Sequence, residues 1–160
     1  MILFFVVIQM EKNKKIICQN KKAQHDYFIK EEIEAGIVLS GTEIKSVRLG
    51  KVSINEAYCL IKKGEILIEN MHIAKYDQGN IFNHDPLRTR VLLLHKKEIN
   101  KLSNKTTLDG FTIIPLQVYI TNGKCKLSIA LAQGKKLFDK RETLKNKTIN
   151  LEQRKDLKNY

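Results

Sequence analysis

The sequence predicts an all-β body with short flanking helices, closed as a small barrel and followed by a basic tail. Three observations carry this prediction. Short apolar stretches alternate with polar positions at period two, and Gly, Asn or Pro separates them. Two of the separations, Lys62-Lys63-Gly64-Glu65 and Thr121-Asn122-Gly123-Lys124, are hairpin turns. A chain of 160 residues is one domain's worth, and closing its strands into a barrel is the simplest way to hide their edges.

Taken in order, Met1–Ile8 is apolar but has no charged leader and no small-residue cleavage site, and it is too short to span a bilayer. Met10-Glu11-Lys12-Asn13-Lys14 is the more natural start, so residues 1–9 are expected to lie outside the fold. Residues 12–26 read as flexible, which makes 1–19 an N-terminal segment. The barrel is expected over 20–134 and the tail over 135–160.

Residues 27–39 read as the first strand, with Phe28, Ile33, Ile37 and Leu39 among charged neighbours. The period then changes. Ser40 stands three residues before Glu43 in capping-box spacing, and a short helix follows. Its Ile44 and Val47 face inward, and its Lys45 and Arg48 face out as a basic side. Gly50 is free to take the left-handed conformation that ends such a helix. Residues 55–61 and 66–68 form the two arms of the first hairpin, and 71–73 are expected to continue the sheet. Residues 77–86 are a polar loop broken by Gly79, Asn80, Asn83 and Pro86.

Residues 88–94 form another strand, with Arg88 and Arg90 on one face at i, i+2. Residues 95–104 have helical composition around Ile99 and Leu102. The last hairpin pairs 111–120 with 125–131 across Asn122-Gly123, a sequence suited to the positive φ angles of a type I′ turn. Cys125, Leu127, Ile129 and Leu131 share its inner face, and Lys126 and Ser128 its outer face. Pro115 cannot donate to a ladder, so it belongs at an edge or a bulge. Residues 137–160 hold many charges and sparse apolar residues, and are expected to be disordered in solution and helical only against a partner.

The net charge is +12. It is concentrated at the ends: residues 12–22 carry +5, 23–134 only +3, and 135–160 another +5, with Glu11 completing the balance. A nearly neutral body with two basic arms fits an acidic partner, most simply the phosphates of a nucleic acid. Cys18, Cys59 and Cys125 have neither disulfide nor zinc spacing and fit a reducing cytosol. Chemistry is thinly represented. His25, His72, His84 and His95 lack metal-ligand spacing, and there is no phosphate-binding loop or nucleophile elbow. Glu31, Glu32 and Glu34 cluster, but neighbours on a strand point to opposite faces. His25 beside Asp26 suits base stacking and phosphate hydrogen bonding better than a nuclease dyad. No catalytic residue, metal or cofactor is expected.

Four stretches carry a resemblance. Asn20-Lys21-Lys22-Ala23-Gln24-His25-Asp26-Tyr27-Phe28-Ile29 precedes Glu34-Ala35-Gly36-Ile37-Val38-Leu39-Ser40-Gly41-Thr42-Glu43-Ile44-Lys45-Ser46-Val47-Arg48. His84-Asp85-Pro86-Leu87-Arg88-Thr89-Arg90-Val91-Leu92-Leu93-Leu94 and Gly134-Lys135-Lys136-Leu137-Phe138-Asp139-Lys140-Arg141 follow in order. Together they resemble the SsrA-binding (small protein B) family, the partners of transfer-messenger RNA, from Asn20 to about Lys147. The resemblance implies an oligonucleotide-binding (OB-type) barrel that is not an enzyme and acts in the bacterial cytoplasm as a monomer, with no membrane role. It implies binding to the tRNA-like domain of transfer-messenger RNA, in place of the anticodon arm that this RNA lacks. With elongation factor Tu, such proteins deliver the charged RNA to ribosomes stalled on a truncated message.

By the same resemblance, Asn20, Lys21, Glu34, Leu93 and Lys126 contact or shape the RNA surface. Lys45 and Arg48 join this set through their exposed basic face. His25 would face the decoding centre in small-subunit RNA. Gly134, Lys135, Lys136, Asp139, Lys140 and Arg141 would serve the ribosome side, where the tail senses an empty message channel. Met1–Gln9 has no family counterpart, and Ile149 stands where many members carry tryptophan. The competing expectation is a general OB-fold single-strand RNA-binding or ribosomal protein without preference for a tRNA-like RNA.

Overall fold

The computed structural model describes residues 14–79, 82–135 and 137–158; at 137–143, 156 and 158 it describes the backbone alone. The chain runs β1 (Lys15–Gln19), α1 (Ala23–Asp26), β2 (Tyr27–Ile37), α2 (Gly41–Arg48), β3 (Val52–Ser53), β4 (Tyr58–Lys62), β5 (Glu65–Glu69), β6 (His72–Ile73), β7 (Arg90–Leu93), α3 (Lys96–Leu108), β8 (Thr112–Thr121), β9 (Lys124–Gly134) and α4 (Leu137–Lys158). The expected barrel is present. The antiparallel order β8-β4-β5-β7-β2-β9 closes on itself because β9 pairs back onto β8. Its interior is filled by Ile66, Ile68, Leu92, Val118, Leu127 and Ile129, all essentially without exposure.

Local chemistry explains the joints. Asn122 and Gly123 have φ of 50° and 74°, and Lys63 and Gly64 have 52° and 74°. Both are paired left-handed centres of the kind a type I′ hairpin requires. Pro115 sits at a β8 bulge, between Pro115 and Gln117, where its missing N–H is tolerated. That bulge divides the edge of β8 between two partners. Ile113 pairs with Cys59 of β4, whereas Gln117 to Ile120 pair with β1.

α2 has the predicted capping box: Glu43 Oε1 accepts from the Ser40 amide at 3.0 Å, and Ser40 Oγ accepts from the Glu43 amide at 3.4 Å. It ends in a Schellman motif. The Lys51 amide donates to Ser46 O and the Gly50 amide to Val47 O, with Gly50 at φ 77°. α3 buries Ile99 and Leu102 against the barrel. Lys101 and Lys105 tie it to Glu31 of β2 at 2.8 and 3.3 Å.

Within residues 12–26, β1 and α1 depart from the sequence reading, as do residues 71–73. Residues 15–19, expected to be flexible, form β1, because Ile17 and Cys18 pack on the core while the backbone takes the free edge of β8. Residues 72–73 do not continue the main sheet; β6 pairs with β3 in a separate two-stranded ladder. The tail, expected to be helical only against a partner, is one helix over residues 137–158. Residues 144–155 of that helix are all exposed, so no core packing supports them. Residues 1–9 lie outside the described residues.

Candidate RNA-binding face

β2 positions most of the site. It runs between β7 and β9, so Gly36 stands opposite both Leu93 and Lys126, and Glu34 opposite Ser128. Outward side chains recur every second residue. Glu34, Leu93 and Lys126 therefore meet at one open hollow of about 520 Å³, with His95 and Glu98 at its rim. Leu93 is 57% exposed there, unusual for a leucine on a barrel strand. Gly36 leaves it room: a Cβ at that position would lie 3.2 Å from Leu93 Cβ.

Glu34 is held on both oxygens. Oε1 accepts from Lys126 Nζ at 2.8 Å, and Oε2 accepts from the Tyr119 hydroxyl. Lys126, then Tyr119, hold its carboxyl below the usual carboxylate range against the opposing effect of burial. Burial, then Glu34, pushes the Tyr119 phenol up, so the hydroxyl keeps its proton and remains a donor. Lys14 Nζ stands 4.0 Å from the centre of the Tyr119 ring. Tyr119 and Lys14 were not among the sequence candidates. The two-residue turn at Asn122-Gly123 sets Tyr119 opposite Lys126, so the hairpin register was the signal that could have placed Tyr119.

Asn20 and Lys21 line a second hollow of about 310 Å³, with Gln24, Glu32 and Gln117. Glu32 and Glu34 lie two apart on β2, so the two hollows share the outward face of β2. Asn20 itself is an anchor. Its amide nitrogen donates to Pro115 O at 3.1 Å, and its backbone N–H to Leu116 O at 2.7 Å. Lys45 and Arg48 are exposed on α2 as predicted but line neither hollow, and Lys45 Nζ instead approaches the Tyr76 ring at 5.4 Å.

A different group gathers at the other end of β2. His25 Nδ1 donates to Asp26 Oδ1 at 2.8 Å, with about a third of each side chain exposed. Gly134 pairs with Tyr27, and the Lys135 amide donates to Asp26 O at 2.8 Å. Lys135 Nζ donates to Gln24 O at 2.9 Å and lies 5.0 Å from the centre of the Phe28 ring. His25 and the root of α4 are thus neighbours. They lie roughly 23 Å along β2 from Glu34, taking about 3.3 Å per strand residue. Lys136, and the side chains of Asp139, Lys140 and Arg141, lie outside the described residues.

Behind this face, the stretch from His84 to Arg90 is structural. Glu43 and Arg90 are both fully buried. Arg90 Nε donates to Glu43 Oε2, and Arg88 Nη2 donates to Glu43 Oε1 at 2.5 Å. Arg90 Nη1 also donates to Met71 O at 2.7 Å. Burial alone would raise the Glu43 carboxyl. The Ser40 amide and the two guanidinium groups outweigh it and hold the carboxyl at about 2. His84 bridges the same elements, accepting from the Thr42 hydroxyl at 2.9 Å and donating to Ile73 O at 2.9 Å. These contacts lock α2 onto the barrel.

Comparison with known proteins places this architecture among relatives. The family model for SmpB protein matches residues 17–159. An SsrA-binding protein from Caldicellulosiruptor saccharolyticus is 53% identical over 154 residues, covering 94% of this chain and 98% of its own length. One from Acetivibrio thermocellus is 57% identical over 134 residues, covering 84% of this chain and 87% of its own. A solved chain from "tmRNA-SmpB: a journey to the center of the bacterial ribosome" superposes with a TM-score of 0.63 at 45% identity, covering 75% of this chain and 85% of that one.

Proposed function

The chain belongs to the SmpB family of SsrA-binding proteins, and from that premise we propose that it binds the tRNA-like domain of transfer-messenger RNA and brings it to stalled ribosomes in trans-translation. The observation that carries the reading is the single outward face of β2. A carboxylate paired with Lys126, an exposed leucine and the Asn20–Lys21 corner lie along one ridge of a nearly neutral barrel, in a chain whose basic ends bring the net charge to +12. Lysines supply phosphate affinity, and a fixed carboxylate accepts from ribose or base donors, as recognition of a folded RNA requires.

In this reading Asn20, Lys21, Glu34, Leu93 and Lys126 form the RNA side, with Asn20 acting by holding the corner and Lys45 and Arg48 as flanking charge. His25, Gly134, Lys135, Lys136, Asp139, Lys140 and Arg141 form the ribosome side, His25 toward the decoding centre and the tail toward the message channel. The barrel is the RNA-binding unit, beginning at β1, and 135–160 is the tail that α4 extends along the ribosome. The protein acts in the cytoplasm as a monomer, with elongation factor Tu joining through the RNA, and its role is binding rather than catalysis.

The test is a salt titration of binding to three RNAs: the tRNA-like domain, a bulk tRNA and an unstructured oligonucleotide. Retention of the tRNA-like domain alone at physiological salt supports the reading. Parallel loss of all three makes the barrel a generic RNA binder. A Lys140→Ala, Arg141→Ala double substitution should leave binding of the free RNA near normal and abolish tagging on stalled ribosomes; equal loss of both would make the tail another RNA arm.

A further inference from the structure

We infer that Tyr119 is a positioning residue of the RNA-binding face, fixing Glu34 with its hydroxyl and carrying Lys14 into the site on its ring. The inference rests on the proposed function and adds to it two residues that the family words do not contain. Tyr119 is only 2% exposed, so RNA cannot use it as an open stacking platform. What it offers is arrangement. Its hydroxyl takes Glu34 Oε2, and Lys126 takes Oε1.

Without Tyr119, Glu34 would keep only a half-exposed pair with one lysine, a contact that solvent loosens. With it, the carboxylate is held from two sides, and each oxygen still has a lone pair for an RNA hydroxyl or amine. The same ring faces Lys14 at 4.0 Å. A cation from the N-terminal arm is thereby brought beside the Glu34–Lys126 pair. The resulting order of cation, carboxylate and cation matches a ribose edge flanked by phosphates.

Tyr119→Phe removes the hydroxyl and keeps the ring. Its affinity for the tRNA-like domain should fall about tenfold, the loss expected from one hydrogen bond to a charged group. Binding of an unstructured oligonucleotide, and the slope of log affinity against log salt, should stay as in the unaltered protein. On a Glu34→Gln background, Tyr119→Phe should have little further effect, because the two act as a unit.

Lys14→Ala, an exposed change that leaves the core intact, should lower the salt slope by about one. In Tyr119→Leu, which lacks the ring, Lys14→Ala should have no such effect. Full additivity of Tyr119→Phe with Glu34→Gln, or equal loss of all RNAs, would reduce Tyr119 to a packing residue. An unchanged slope in Lys14→Ala would remove Lys14 from the site. If the unaltered protein shows no preference for the tRNA-like domain, the proposed function fails first. If it does and Tyr119→Phe behaves like it, the inference alone fails.

Discussion

Glu43→Gln isolates the buried charge that holds α2 to the barrel. Glu43 has no exposure and accepts from the Ser40 amide, Arg88 and Arg90. Its carboxyl falls from an ordinary 4.5 to about 2 on folding. A folded pKa below the unfolded one means the stabilisation is complete above the unfolded value and lost as pH falls toward the folded one. The window is therefore pH 4.5 down to about 2. A shift of this size corresponds to about 3 kcal/mol at neutral pH. The glutamine variant also leaves the Arg90 guanidinium buried beside a neutral amide, and breaking a buried pair from one side costs about 3–5 kcal/mol.

For a chain of this length the melting temperature should fall by about 10 °C at pH 7. Urea denaturation of both proteins at pH 7, 5, 4 and 3 supplies the assay. The gap should be constant from pH 7 to 5 and close progressively below. A gap that stays constant down to pH 3 would refute the reasoning, because the lost stability would then not come from the ionised carboxylate.

Ser40→Ala removes one half of the capping box and should cost about 1 kcal/mol, read as a small drop in urea midpoint with unchanged slope. Gly123→Ala places a side chain at φ 74° in the β8–β9 turn and should destabilise by about 1–2 kcal/mol; an unaffected melting temperature would mean the turn relaxes. Burial pushes the thiol of Cys59 up strongly, that of Cys125 to about 12 and that of Cys18 to about 11. Cys59 and Cys125, which are buried, should therefore resist a thiol-specific reagent at pH 8 until the protein is unfolded, and half-buried Cys18 should react more slowly than a free thiol; rapid labelling of Cys59 or Cys125 in the native protein would contradict their burial.

Legibility from sequence followed the range of the interaction. Asn122-Gly123 and Gly64 announced their turns because Gly, and to a lesser degree Asn, accepts positive φ; Lys63 takes φ 52° because the hairpin closes around it. Ser40 and Glu43 announced a helix start because the capping box closes within four positions. The alternation of Cys125, Leu127, Ile129 and Leu131 placed the inner face of β9, and all four are buried. Among the candidate site residues, Lys126 was placed outward by the same alternation, and its side chain does lie on the outer face. β1 went unread because its Lys-rich surroundings look like a solvated arm; its order comes from the edge of β8, about a hundred residues away in the chain.

Pattern and turn chemistry, acting over a few residues, were enough to specify an all-β barrel with basic ends. Assembly supplied the partnerships. Glu43 read as a cap, but its burial comes from Arg88 and Arg90, 45 and 47 residues on. Glu34 read as one of three clustered carboxylates and, by resemblance, as part of the RNA surface, but its partners Tyr119 and Lys126 lie 85 and 92 residues away. Apolar burial is non-directional and marks only which face turns inward. Which polar side chains meet on the other face depends on the register in which distant strands close the ring, and no short stretch of sequence encodes that register.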